Sequence, residues 1–161
     1  MKVFLNVRHF LPLVSFILRH LNQSDISMRK PDIIVHLDDD GDDQDLLREA
    51  MEQSSSYRLV SFQTSSELFD YLNQHQDFIC LIVLDINLPF GDGVQVLEKI
   101  RESRDYDHIP VVMLTTGGNS PQVKALQSHN VDVITKPMVF SDLEEIAKNL
   151  LAICLRHQQA D

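Results

Sequence analysis

The sequence predicts an α/β fold in which a five-stranded parallel sheet is covered by helices on both faces. Five short apolar runs, rich in β-branched residues, alternate with segments whose apolar residues recur at helical spacing. The third run, residues 78–84, is apolar at every position and contains neither Gly nor Pro, which is typical of a central parallel strand buried on both faces. Right-handed crossovers then favour a doubly wound sheet with the strand order 2-1-3-4-5.

The first two predicted strands are each followed by a helix. Residues 33–37 form the first strand, and an acidic run at residues 38–45 separates it from apolar residues at helical spacing that begin with Leu46. Residues 58–62 form the second strand. The next helix opens with a capping box at residues 64–67, in which Thr and Glu satisfy free N–H groups at the helix start.

The rest of the chain continues the alternation. The predicted elements are a helix from Val94, a strand at residues 109–114, a short helix after the loop at residues 117–121, a strand at residues 131–135, and a last helix that opens with a second capping box at residues 141–144.

Composition and charge limit the function classes. The chain has 161 residues, 43% of them hydrophobic, and a formal net charge of −10, which indicates one globular domain with a core large enough to fold alone. A nucleic-acid-binding surface needs a basic patch, and the basic residues here are scattered, so we expect no nucleic-acid partner. Acidic chains of this kind more often bind proteins or metal ions.

Residues 1–30 form an N-terminal extension of uncertain role, ahead of a domain predicted at residues 31–157 and a tail at residues 158–161. The apolar part of the extension is too short to span a bilayer, and residues 22–25 offer no small-residue cleavage site for a signal peptide. Two interpretations stay open: an added amphipathic helix that docks on the domain or on a second copy, and an extension from an upstream start site.

The two cysteines, Cys80 and Cys154, have neither CxxC spacing nor a neighbouring His that would complete a metal-ligand set. Cys80 lies inside the predicted central strand, and Cys154 lies in the last helical pattern. We therefore expect two buried free thiols and a cytoplasmic protein in a reducing environment.

The acidic run after the first strand has two parts. Carboxylates at residues 42–45 fall in the first helical turn, where they favour the positive helix end and cap free N–H groups. Asp38 and Asp39 come earlier, at the strand end, where the fold brings them beside Asp85. Such a cluster favours a hard divalent cation with oxygen ligands, and a small cluster that keeps several waters fits Mg²⁺ better than Ca²⁺. The acidic run does not match a calcium-binding EF-hand loop, which needs a Gly at its sixth position and a Glu at its twelfth.

Polar residues close several strands at one edge of the sheet. Asp85 ends the central strand, Thr115 follows the fourth strand and Lys136 follows the fifth. Ligands of open α/β sheets bind at the carboxyl ends of the strands. With the acidic pair, these residues make a charge-balanced site: acids for a cation, a carboxylate nucleophile, and a hydroxyl and an ammonium for phosphoryl oxygens.

In these residues the sequence resembles the receiver domain of two-component response regulators, from about Asp32 to the end of the last helix. Each motif is weak alone, but the ordered set is highly specific. The resemblance implies a flavodoxin-like receiver fold. It rests on the pair Asp38-Asp39, the D-x-x-x-P pattern from Asp85 to Pro89 with Asp92-Gly93 after it, Thr115, and Lys136-Pro137.

The resemblance implies that Asp85 accepts a phosphoryl group from a phosphohistidine on a sensor histidine kinase or a histidine phosphotransfer protein. In the family, Mg²⁺ is held by the second acid of the pair, here Asp39, by the phosphoacceptor, and by the main-chain carbonyl two residues beyond it, here Asn87. Asp38 would then act largely through metal-bound water.

The resemblance also assigns the opposite side of the site, with two departures. Thr115 and Lys136 would contact phosphoryl oxygens, and the bond before Pro137 would be cis. Thr116 joins this phosphoryl-binding group, but the family commonly has a small residue there, so its bulk would narrow access and slow phosphoryl transfer or hydrolysis. Val133 stands where the family often has an aromatic side chain that turns inward on activation, so that switch is absent.

The resemblance implies a stand-alone, single-domain response regulator, because only a few residues follow the last helix. It would signal by phosphorylation-dependent protein binding or by relaying phosphate, with no enzymatic activity beyond its own phosphorylation and dephosphorylation. A homodimer, the kinase and the target stay open. One alternative is a receiver-like interaction module that is not phosphorylated. The other, an aspartate-nucleophile phosphatase, is disfavoured because it needs a second Asp where this chain has Asn87.

Overall fold

A computed structural model describes residues 30–52, 57–89, 93–117, 121–126, 129, 131–137 and 139–160. Five parallel strands form one sheet in the order β2-β1-β3-β4-β5, so the predicted fold class and strand order are confirmed. The expectations for residues 1–29 lie outside the described residues. The strands are β1 (Ile33–Leu37), β2 (Arg58–Phe62), β3 (Ile79–Asp85), β4 (Val111–Thr115) and β5 (Asp132–Thr135).

A helix follows each strand, as the alternation predicts. None of the helices in the described ranges is both long and apolar enough to cross a bilayer. The helices are α1 (Gly41–Glu52), α2 (Ser65–His75), α3 (Gly93–Glu102), α4 (Pro121–Leu126) and α5 (Phe140–Ala160), and one turn of 3-10 helix (Gln76–Phe78) joins α2 to β3.

The central strand β3 separates two apolar layers. All seven of its residues are buried, and from Leu81 to Leu84 successive side chains enter opposite layers, as a regular strand requires. Ile82 and Leu84 pack with residues of α2 and α3, whereas Leu81 and Val83 pack with residues of α1 and α5. Because both faces of β3 are covered, its carboxyl end at Asp85 has a fixed position.

The two predicted capping boxes have different outcomes. Thr64 caps α2: its Oγ1 accepts from the Glu67 N–H at 3.3 Å, and its own N–H donates to the Glu67 carboxylate at 3.2 Å. The capping box predicted at residues 141–144 is wrong, because α5 already begins at Phe140. Ser141 is therefore inside the helix, and its hydroxyl donates to Asp142 at 3.2 Å.

The last helix also extends beyond the boundary predicted at residue 157. It continues to Ala160, and the side-chain amide of Gln158 donates to the main-chain carbonyl of Pro31. Part of the predicted tail is thus helical and fastens the end of α5 beside the start of β1.

The expectation of two free thiols is wrong. Cys80 on β3 and Cys154 on α5 form a disulfide, although both are fully buried, as expected. Their Cα atoms are 5.2 Å apart, inside the usual range for a disulfide. Their sequence separation of 74 gave no recognisable spacing pattern; the pair forms because α5 packs across the central strand. The cysteines therefore give no support to a reducing compartment.

Candidate functional site

The strand ends bring the predicted polar residues to one edge of the sheet. Asp38 directly follows β1, Asp85 ends β3, Thr115 ends β4 and Lys136 directly follows β5. The Lys136 N–H donates to the Thr115 carbonyl at 2.7 Å, which continues the ladder between β4 and β5 by one bond. Sheet register therefore sets the position of the lysine relative to the acids.

Three carboxylates gather at this edge. Asp38, Asp39 and Asp85 each offer an oxygen, and these oxygens all lie within 4.8 Å of one another. Asp38 and Asp85 are buried, whereas Asp39 is exposed. Asp85 Oδ1 is buried and has no hydrogen-bond partner among the described residues. An all-oxygen donor set with an unsatisfied buried oxygen fits a hard divalent cation such as Mg²⁺.

The Asp38 carboxylate is held by several donors. Its Oδ1 accepts from the Asp40 N–H at 3.0 Å, its Oδ2 accepts from Lys136 Nζ at 2.7 Å, and His36 Nε2 lies 3.5 Å from the same Oδ2. Burial works to raise the pKa of Asp38. The contacts with His36, Lys136 and the Asp40 N–H outweigh burial and lower this pKa to about 2, so Asp38 is ionised at neutral pH.

Lys136 is the cation of the site and contacts three carboxylates. Its Nζ lies 2.7 Å from Asp38, 2.8 Å from Asp43 and 3.5 Å from Asp85 Oδ1. Burial works to lower the pKa of Lys136, but the hydrogen bonds to Asp38 and Asp43 prevail and raise it. The ammonium form is therefore fixed at physiological pH.

The Asp85 carboxyl group has the opposite balance to Asp38. Burial raises its pKa, the charge of Lys136 lowers it, and the charge of Asp38 raises it again, so that the net pKa lies above the ordinary value. Asp85 is thus the acid of the cluster whose ionised form gains most from a cation bound nearby.

The hydroxyl side of the site is formed by the loops after β3 and β4. The buried Thr115 hydroxyl donates to the Gly117 carbonyl and accepts from the Gly117 N–H, both at 3.1 Å. The exposed Thr116 accepts from the side-chain amide of Asn87 at 3.3 Å. The loops after β3 and β4 are therefore already connected through side chains.

The position where the family often has an aromatic residue lies outside this network. Val133 is on β5, with 37% of its surface exposed.

Sequence reasoning missed three residues of the site. His36 is buried on β1, and neither ring nitrogen has a hydrogen-bond partner within the described part of the chain. Gln44 is buried and donates to the carbonyls of Asp38 at 2.7 Å and Phe62 at 3.0 Å, which ties the ends of β1 and β2 together. Asp43 reaches Lys136, although its place in the first turn of α1 indicated only a helix-end carboxylate. A polar His in an otherwise apolar strand was the one available signal.

A family model and several relatives match this chain. The model of the response regulator receiver domain matches residues 34–148. Rre1 of Synechocystis sp. is 30% identical over 126 residues, which cover 78% of this chain and 54% of Rre1. Rcp1 of the same organism is 30% identical over 127 residues, which cover 74% of this chain and 86% of Rcp1. This chain therefore spans about half the length of Rre1 but most of Rcp1.

Solved structures agree with these matches. The Mn²⁺-bound form of response regulator Rcp1 has a TM-score of 0.64 at 29% identity and covers 76% of this chain and 93% of its own. The phosphorylated cyanobacterial phytochrome response regulator RcpA has a TM-score of 0.67 at 30% identity, with coverage of 77% and 94%. With its five-stranded sheet, its acidic cluster and the match over residues 34–148, this chain belongs to the response regulator receiver domain family.

Proposed function

We propose that this chain accepts a phosphoryl group on Asp85 from a phosphohistidine of a sensor histidine kinase or a histidine phosphotransfer protein, and that it signals in the cytoplasm by phosphorylation-dependent protein binding or by phosphorelay. The main supporting observation is the placement of Asp85. Its carboxylate ends the buried central strand, its Oδ1 lacks a hydrogen-bond partner among the described residues, and Lys136 Nζ lies 3.5 Å away.

The proposed transfer forms one bond and breaks another. An Asp85 carboxylate oxygen bonds to phosphorus, the phosphorus–nitrogen bond of the phosphohistidine breaks, and its electron pair returns to the imidazole. Repulsion between the anionic carboxylate and the phosphoryl oxygens opposes this step, so cations at the site lower its barrier. Lys136 is one such cation, because its raised pKa keeps it charged.

Asp38, Asp39 and Asp85, with the main-chain carbonyl of Asn87, would hold Mg²⁺. The ion would supply charge neutralisation for the ionised Asp85 and for the phosphoryl oxygens. Asp39 is the exposed member of the cluster, so an ion that arrives from solvent would contact it first. Asp38 also orients Lys136 through the 2.7 Å contact between its Oδ2 and the lysine Nζ.

Phosphorylation would change the contacts of the β4 end. Thr115, Thr116 and Lys136 are the groups that would bind phosphoryl oxygens. The Thr115 hydroxyl now bonds to Gly117, so a new acceptor on Asp85 competes for it and draws the following loop inward. Because Val133 is not aromatic, the response would run through this loop without an aromatic side chain turning inward.

Borohydride trapping tests the assignment of the acceptor. The chain is incubated with Mg²⁺ and acetyl phosphate, and borohydride then reduces an aspartyl phosphate to homoserine, which peptide mass spectrometry locates. We expect conversion at Asp85 and none when Mg²⁺ is removed. Conversion at Asp38 or Asp39 instead of Asp85 would contradict the assignment.

A further inference from the structure

A carboxylate outside the metal cluster holds the lysine of the proposed acceptor site. Asp43 Oδ2 lies 2.8 Å from Lys136 Nζ, and 39% of the Asp43 side chain is exposed. Asp43 is in the first turn of α1 and is not one of the three clustered acids that could hold a metal ion. Its contact with Lys136 therefore requires a separate explanation.

The start of α1 explains why Asp43 points at the lysine. Asp40 precedes the helix, and its Oδ1 accepts from the N–H groups of Asp42 at 2.9 Å and Asp43 at 3.4 Å. An acid at the third helical position commonly reaches back to the N–H of the capping residue. Here the Asp40 N–H already donates to Asp38 Oδ1 at 3.0 Å. The Asp43 carboxylate is thus left available for Lys136.

Lys136 uses two of its three N–H donors, and these two contacts hold its ammonium beyond hydrogen-bond distance of Asp85. Its two hydrogen bonds go to Asp38 and Asp43, and its distance of 3.5 Å from Asp85 Oδ1 makes an ion pair without a hydrogen bond. The Asp38 side chain is only 1% exposed, whereas 39% of Asp43 is exposed. Freeing Asp43 costs less, because water can replace the lysine there.

The surroundings leave room for this exchange. A cavity of about 350 Å³ lies beside the pair, with Asp43 and Lys136 in its lining and with Leu47 of α1 and Ile146 of α5 on its walls. The Asp43 side of the pair therefore has room for water to solvate the carboxylate when Lys136 turns toward Asp85.

We propose that Asp43 is a positioning residue that holds Lys136 away from Asp85 and thereby slows phosphorylation. This contact, the Asp43 latch, rests on the proposed function for its consequence but not for its existence. Removing the Asp43 charge removes one of the two hydrogen bonds that hold the ammonium 3.5 Å from Asp85, so that Lys136 moves closer to the incoming phosphoryl group. Asp43 thus sets the rate at which the acceptor site engages its donor.

The first test measures Lys136 without any phosphoryl donor. An amine-reactive ester acylates the intact chain, and peptide mass spectrometry gives the rate at Lys136 in the native protein, in Asp43→Asn and in Asp42→Asn. Asp42 is the matched control, because it carries the same charge on the same helical turn. We expect acylation about fivefold faster in Asp43→Asn alone, the size of one half-exposed ion pair.

The second test measures phosphorylation with Mg²⁺ and acetyl phosphate in the same proteins. We expect Asp43→Asn to gain phosphate about fivefold faster than Asp42→Asn. We expect this rate difference to disappear when both variants also carry Lys136→Gln, which a merely structural role of Asp43 would not produce. Equal rates in the two variants in both tests, or slower phosphorylation of Asp43→Asn, would overturn the latch. If the native protein gains no phosphate while the acylation difference persists, the proposed function fails and the Asp43 latch stands.

Discussion

At the scale of single residues, the two buried acids of the site respond to their surroundings in opposite ways. Burial favours the neutral form of both carboxyl groups. The contacts of Asp38 with His36, Lys136 and the Asp40 N–H outweigh burial, and its pKa falls to about 2. Asp85 lacks comparable donors, and its pKa is raised. The site therefore has one ionised acid that holds the lysine and one acid, the proposed phosphoacceptor, whose ionised form gains from a nearby cation.

The depressed pKa of Asp38 predicts a pH-dependent contribution to stability. A carboxyl group with a lower pKa in the folded chain stabilises the fold above its unfolded pKa, and this stability is lost as the pH falls through its folded pKa. For Asp38 the window runs from the ordinary value of 3.8 down to about 2. The difference is worth about 2 kcal/mol at neutral pH.

We therefore expect Asp38→Asn to lower the free energy of unfolding by about 2 kcal/mol at pH 7, and the difference from the native protein to shrink between about pH 4 and pH 2. Urea unfolding in the presence of EDTA measures it. Asp42→Asn controls for the loss of a charge, and its difference from the native protein is expected to stay small. A difference for Asp38→Asn that is constant down to pH 2 would show that ionisation is not the cause.

At the scale of elements, the join between β3 and α3 depends on a missing side chain. The N–H of Gly93 donates to the Ile86 carbonyl at 3.1 Å. A Cβ atom at residue 93 would lie 2.1 Å from the Asp85 carbonyl oxygen and 3.0 Å from Ile86 Cα. These neighbours are main-chain atoms at the end of the central strand, so they cannot turn aside. Glycine lets α3 begin directly against Asp85, the residue proposed as the phosphoacceptor.

Gly93→Ala should consequently destabilise the fold by about 2 kcal/mol or more, the cost of overpacking against backbone. Gly117→Ala is the matched control, because a Cβ there meets no atom within 4 Å, and its effect should stay within about 0.5 kcal/mol. Chemical denaturation of both variants measures the difference. Equal stability of the two variants would show that the β3–α3 join has room for a methyl group.

The disulfide between β3 and α5 gives a second prediction for the elements. A crosslink between two residues 74 positions apart in the sequence restricts the unfolded chain and is worth about 4 kcal/mol in the chain-entropy account. Reduction should lower the free energy of unfolding by about that amount in urea. A double variant with Ala at residues 80 and 154 should not respond to the reductant. Coincident unfolding curves for the oxidised and reduced native protein would contradict the prediction.

At the scale of the whole molecule, the sequence predicts what depends on periodicity and chain order. Alternating strand and helix patterns, combined with right-handed crossovers, define the sheet order, and that order places Asp85 and Lys136 at one edge. Contacts decided by side-chain direction were not predictable. The Asp43–Lys136 pair depends on the Asp40 N–H donating to Asp38, which leaves the Asp43 carboxylate available for the lysine. The Cys80–Cys154 pair depends on how α5 crosses the sheet.

The proposed function depends on Asp85 being a Mg²⁺-dependent phosphoacceptor. Its most direct test is the intact mass of the purified chain after incubation with acetyl phosphate, with and without Mg²⁺, beside Asp85→Asn. We expect the native protein to gain one phosphoryl group only with Mg²⁺, and the variant to gain none. No gain with acetyl phosphate and none with a phosphorylated histidine kinase, or an equal gain in Asp85→Asn, would contradict the claim and favour a receiver fold that binds its partner independently of phosphate.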